Sequence, residues 1–184
     1  MAKKLHGYCS TMFCECMDID ALNRCGIYAE GDLDNGVMVT LGEMTQDSAN
    51  KVEGFEYKVA PATAGTEFNL YVVNTPEVGS NLEMQDHADP RDFYNEAGRP
   101  MSVKKLVPNV DEIEVTAECF TDATLPTKTN KFVKVAAGGK LKASSTTPTT
   151  NGAYFEFVGL HFVEIGWERV PTAILRYKEF VAKA

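Results

Sequence analysis

Between residues 111 and 120 the chain reads DEIEVTAECF, in which Ile113, Val115, Ala117 and Cys119 alternate with Glu112, Glu114, Thr116 and Glu118. A period of two sends successive side chains to opposite faces, so the segment predicts a strand with one packed face, which includes Cys119, and one wet face. Similar runs rich in β-branched and aromatic residues predict strands over 26–30, 37–42, 54–60, 67–74, 101–107, 131–137, 153–166 and 172–182. Gly159 interrupts the apolar run from Tyr154 to Phe162, where a bulge or sharp bend is expected.

Turn chemistry lies between these runs. Asn35-Gly36 and Asn151-Gly152 suit backbone with positive φ, and Ala137-Gly138-Gly139-Lys140 divides two short strand candidates. ASSTTPTT at 143–150 reads as a polar surface loop. Helix is scarce: Asp89 as cap, Pro90 at the first position and Gly98 as terminator allow a turn or two, with a second short turn around Asp18 to Arg24. The pattern therefore predicts an all-β fold, a compact β-barrel or β-sandwich of short antiparallel strands with one or two helical turns. An extended N-terminal arm, 1–25, leads into a single β-rich domain, 26–184.

Length agrees with one core, since 184 residues are enough for one and short for two. The net charge of -8 repels a phosphate backbone, and no run of Lys or Arg offsets it, which argues against nucleic acid as a partner. The charge is uneven: 17 acids and 7 bases give -10 over residues 1–100, while 9 acids and 11 bases give +2 over 101–184. MAKKL is basic but no apolar stretch of about 7–15 residues follows it, so no secretory signal is predicted. No window approaches the roughly 18 apolar residues of a membrane helix, and the expected compartment is a cytosol.

Four of five cysteines, Cys9, Cys14, Cys16 and Cys25, fall in the first 25 residues. A reducing cytosol and an odd count argue against a disulfide framework. Their spacing departs from the paired C-x(2–4)-C of structural zinc sites, although Cys14 and Cys16 on one strand face, with His6, allow a site to be drawn. The preferred reading is an arm whose thiols are buried as small apolar groups, with no metal or other cofactor.

The usual signatures of catalysis are missing: GxxxxGK, GxGxxG, HExxH and GxSxG do not occur, and no enzymatic activity or catalytic residue is assigned. His87 lies among Asp86, Asp89 and Asp92, which reads as a solvated acidic loop with Asp89 as a cap, and His161 reads as a core or interface imidazole. Phe155, Phe157, Phe162, Trp167, Tyr177 and Phe180 crowd the last third of the chain. Most must be core, and Trp167, placed after Gly166 at an expected turn, is the preferred exposed contact residue.

The succession GDLDNGVMVTLGEM, NTPEVG, DFYNEAGRPMSVKKLVPNVDEIEVT, GGKLKASS and FEFVGLHFVE resembles the head decoration, cement or auxiliary capsid proteins of tailed bacteriophages. The resemblance spans about residues 26–166 and is strongest at Asp32-Leu33-Asp34-Asn35-Gly36 and Asn95-Glu96-Ala97-Gly98-Arg99-Pro100. It implies a non-enzymatic virion protein that binds the outside of the capsid and stabilises the assembled shell, with the phage major capsid protein as partner. It also implies assembly in the bacterial cytoplasm and self-association into a symmetric oligomer, a trimer being one arrangement. In that setting the arm, residues 1–25, is expected to add a strand to a neighbour or to lie across a capsomer boundary. The alternative reading is a receptor- or carbohydrate-binding β module of a fibre or tail, which would present Trp167 and Tyr154 as one aromatic platform.

Overall fold

The computed structural model describes residues 5–46, 52–63, 67–77, 89–165 and 167–181. Eleven strands build two sheets: β1 (Cys9–Phe13), β2 (Asn23–Ile27), β3 (Met38–Gln46), β4 (Val52–Pro61), β5 (Tyr71–Val73), β6 (Pro100–Lys105), β7 (Glu112–Thr116), β8 (Phe132–Val135), β9 (Leu141–Ser144), β10 (Gly152–Ile165) and β11 (Glu168–Phe180). One is an antiparallel six-stranded sheet in the order β1-β7-β11-β10-β8-β9. The other is a closed five-stranded barrel, β2-β4-β3-β5-β6, in which only β2 and β4 run parallel.

The main core lies between the inner face of the six-stranded sheet and one wall of the barrel. Cross-strand register lines up Tyr177, Phe155 and Val133 in one inward row, and Ile113, Leu175 and Phe157 in the next. They meet Met38, Leu70 and Val72 from the barrel wall. A smaller cluster of Leu33, Val37, Val39, Val59, Val73, Met101 and Val103 fills the barrel. Successive residues therefore serve different cores: Met38 and Val72 face the sheet, while Val39 and Val73 face the barrel interior. Burial on both faces explains why these strands read as apolar runs and not as alternation. The Tyr177 hydroxyl ties the layers together, accepting from the Leu70 amide at 3.3 Å and donating to Glu179 at 2.7 Å.

Helical structure is confined to short 3-10 turns among the described residues. Asp89 caps the turn Pro90–Asp92 by accepting from the Arg91 amide at 2.8 Å, with Pro90 at its first position. A turn at Asp20–Leu22 falls inside the second predicted region. Glu112–Thr116 is strand as expected, but Ala117–Cys119 closes into a 3-10 turn before the alternation ends. Cys119 is nevertheless buried.

The expected arm is built into the fold. Cys9 and Ser10 pair with Val115 and Glu114 of the same chain, so the strand expected to complete a neighbour instead forms an edge of its own sheet. The boundary drawn at residue 25 falls inside β2, which belongs to the barrel. Cys14 and Cys16 do not share a strand face, because the chain turns through the 3-10 segment Glu15–Met17 after Cys14. Buried Asp111 fixes that turn by accepting from the amides of Glu15 at 2.8 Å and Val107 at 2.7 Å, and desolvation raises its pKa above the ordinary carboxylate range.

The last two strands depart from the short ones expected. β10 and β11 are 14 and 13 residues long and pair from Gly152–Phe180 to Ile165–Glu168, with an irregularity between Phe157 and Gly159 where the glycine predicted one. A bulge here lets the hairpin change direction while keeping its pairing.

Candidate interaction surface

The two ends of the long hairpin have different neighbours. β8 flanks β10 only over Tyr154–Glu156, and β7 flanks β11 only over Thr172–Arg176. Past Gly159 and Thr172 the hairpin continues as a two-stranded ribbon. Its side chains at Leu160 and Phe162 are exposed, Leu160 to 64%, and Trp167 at the tip is fully exposed. Trp167 is thus an accessible contact residue, whereas Phe162, grouped with the core aromatics by sequence, is 39% exposed beneath Arg169 and His161.

Polar contacts stiffen the ribbon. Buried Arg91 is held by Asp89 and reaches Glu168 at 2.8 Å, which joins the 3-10 turn Pro90–Asp92 to the hairpin tip. Arg169 stacks its guanidinium 4.4 Å from the Phe162 ring centroid and pairs with Glu164 at 3.3 Å. Near the ribbon base, Glu114 accepts from the Thr172 hydroxyl at 2.6 Å and lies 2.8 Å from His161 Nδ1. His161 is an exposed imidazole held by a carboxylate, and not a core residue. A stiff scaffold that leaves large apolar groups in water is the usual form of a protein contact surface, because little conformational entropy remains to be lost on docking.

The other candidates fall elsewhere. Cys9, Cys14, Cys16 and Cys119 are buried, Cys25 is half-buried, and all are free thiols. The Cys14 thiol donates to the Glu112 carbonyl at 3.2 Å. Burial pushes Cys9 well above the ordinary thiol range and Cys119 up to about 12, the latter helped by Asp34 and Glu118. Cys9 and Cys119 stay protonated and behave as packing atoms. Gly36 is part of that packing: its φ of +84° and the 2.6 Å that a Cβ would have to Cys119 Sγ leave no room for a side chain.

His6, drawn earlier as a further ligand beside the thiols, sits 2.6 Å from Asp34 and stacks on Tyr94 at 4.9 Å. Among the described residues no three His, Cys, Asp or Glu side chains converge on a metal-sized position. His87 and Asp86 lie outside the described residues, while Asp89 and Asp92 belong to the 3-10 turn and its cap.

Both segments that carried the family resemblance meet in space. Leu33 bridges to Asn95, Asn95 Nδ2 donates to the Leu33 carbonyl at 3.0 Å, and the Ala97 amide donates to Asp32 at 2.9 Å. Buried Asn35 continues the network to Thr75. Their role is to fasten loops. Sequence could not place the exposed ribbon, because its alternation is the same as that of the buried half. No family model, curated protein or solved structure matches the chain.

Proposed function

We propose that this protein is a capsid-binding virion protein of a tailed bacteriophage, which docks on the outside of the assembled shell and stabilises it without catalysis. The observation that carries the reading is the ribbon beyond Gly159, where Leu160, Phe162 and Trp167 stand in water on a braced hairpin. Docking desolvates these anchors, and the surrounding strands contribute weaker contacts over a broad area. The resemblance described above supplies the shell as partner and the host cytoplasm as the place of assembly.

The mechanism is mass action. A ligand that binds only the assembled lattice stabilises it by RT ln(1 + [L]/Kd), about 2.7 kcal/mol per site at a hundredfold excess over Kd. Multiplied over many copies, that resists pressure from packaged DNA. Purified protein added to undecorated heads should bind in a fixed ratio, and heads should then survive heating that opens bare ones; heads that take up no copies at saturation exclude the reading.

The rival carbohydrate module needs one aromatic platform. Tyr154 is half-buried near the base of β10, and Trp167 follows its end at Ile165, eleven residues or roughly 36 Å of extended strand away. The two rings do not form a shared stacking surface.

A further inference from the structure

We infer that the lysine-rich outer face of β8 and β9 receives the acidic, apolar arm at residues 12–20 of a second copy of this chain, joining molecules head to tail. From residue 123 to residue 155 the sequence has five lysines and no acid, in a chain of net charge -8. Folding concentrates that charge. Lys142 pairs with Lys134, Lys134 with Tyr154 and Tyr154 with Lys178, so three lysines and a tyrosine stand in one row across four strands. Like charges directly opposite each other on a sheet repel. Lys178 is paired with Glu156 at 2.8 Å, but among the described residues Lys134 and Lys142 have no carboxylate at ion-pair distance.

The face also has apolar features. Phe132 and Tyr154 lie with ring centroids 6.3 Å apart, and the Lys131 ammonium sits 5.1 Å over the Phe132 ring. Beside them a hollow of about 400 Å³ is lined by Lys134, Lys142, Ala136, Ala143 and Ser144. A lining of small residues and two lysines suits an apolar side chain flanked by carboxylates.

The arm has that chemistry. Met12, Phe13, Met17 and Ile19 are exposed large apolar residues, interleaved with the exposed acids Asp18 and Asp20. Nearby Lys104 is directed to Thr11 and Met17, and Arg24 to the Asn23 carbonyl, so among the described residues neither Asp18 nor Asp20 has an ion-pair partner in its own chain. Within one chain the arm adjoins β1 while the lysines lie on β8 and β9, at the other end of the strand order, and no ion pair joins the two patches among the described residues. Two different complementary patches make a heterologous contact, which closes into a ring or runs on as a chain according to its rotation.

Sedimentation velocity over a concentration series tests this at about 50 mM and about 500 mM salt, where screening differs strongly. The expected result is a mass above the monomer that falls with salt. Lys134→Glu with Lys142→Glu should weaken association at least tenfold, as should Asp18→Lys with Asp20→Lys, while thermal melts of these surface variants stay close to the parent. Mixing the two variants should restore a complex, since each retains the native surface that the other lacks. A parent chain that stays monomeric at low salt, double variants that associate like the parent, or a mixture that stays monomeric would each overturn the proposal. Lysine variants that keep self-association but lose uptake on heads or on an acidic polymer would also overturn it, assigning the face to another anionic partner.

Discussion

The two halves of the β10–β11 hairpin share one pattern and have opposite fates. Near its base, Phe155 and Tyr177 lie side by side with ring centroids 5.4 Å apart and no exposed surface; beyond Gly159, Leu160 and Phe162 are in water. The difference lies in the neighbours. β7 and β8 complete the sheet around the base and bring it against the barrel wall, and neither follows the ribbon outward. Alternation thus reports that a strand has two unlike faces, and the partner strands decide whether the apolar face becomes core or contact surface.

The largest effect belongs to the base. Phe155→Ala removes a fully buried ring among Val133, Leu175 and Tyr177 and leaves a cavity, so unfolding stability should fall by about 3–5 kcal/mol. Leu160→Ala, the equivalent truncation on the ribbon, should cost less than about 0.5 kcal/mol in the same denaturant titration. Similar losses at both positions would dissolve the distinction between the halves.

Tyr177→Phe is the next in size. It keeps the ring and removes the hydroxyl that accepts from the buried Leu70 amide and donates to Glu179, leaving that amide without its acceptor. A loss of about 1–2 kcal/mol is expected, with the denaturant slope unchanged. A neutral result would place the join between sheet and barrel in apolar packing alone.

How much of this was legible follows from the same comparison. Gly159 announced its bulge, and Asp89 with Pro90 announced a capped turn, because both signals are local to the backbone. Ile113 and Val115 announced their packed face for the same reason. Phe162 did not disclose its exposure, since that depends on β8 beginning only at Phe132, thirty residues earlier in sequence. The lysine row was hidden too: Lys134 and Lys142 become neighbours only after the turn at Ala137–Gly139 sets their register. The cysteines showed their apolar character, but not that Cys9 would complete the chain's own sheet against β7.

A smaller effect tests the brace. Glu168→Ala removes the exposed end of the Arg91 link and, as a largely solvated ion pair, should cost about 0.5 kcal/mol globally. Amide exchange resolves it better than a melt: protection should drop in the ribbon from 159 to 171 and hold at Phe155 and Tyr177. Equal loss in both halves would mean that the ribbon and base open as one unit.

Trp167→Ala has the smallest effect on folding and sharpens the comparison most. A fully exposed indole buries nothing in the free protein, so its removal should leave stability within about 0.5 kcal/mol of the parent. Binding is different, because an aromatic anchor contributes only once a partner excludes water from it, and losses of 2 kcal/mol or more are usual at such positions. The variant should therefore melt like the parent and bind undecorated heads at least about tenfold more weakly. A variant that bound heads as well as the parent would move the docking contact off the hairpin tip, leaving Leu160 and Phe162 to be tested in the same way.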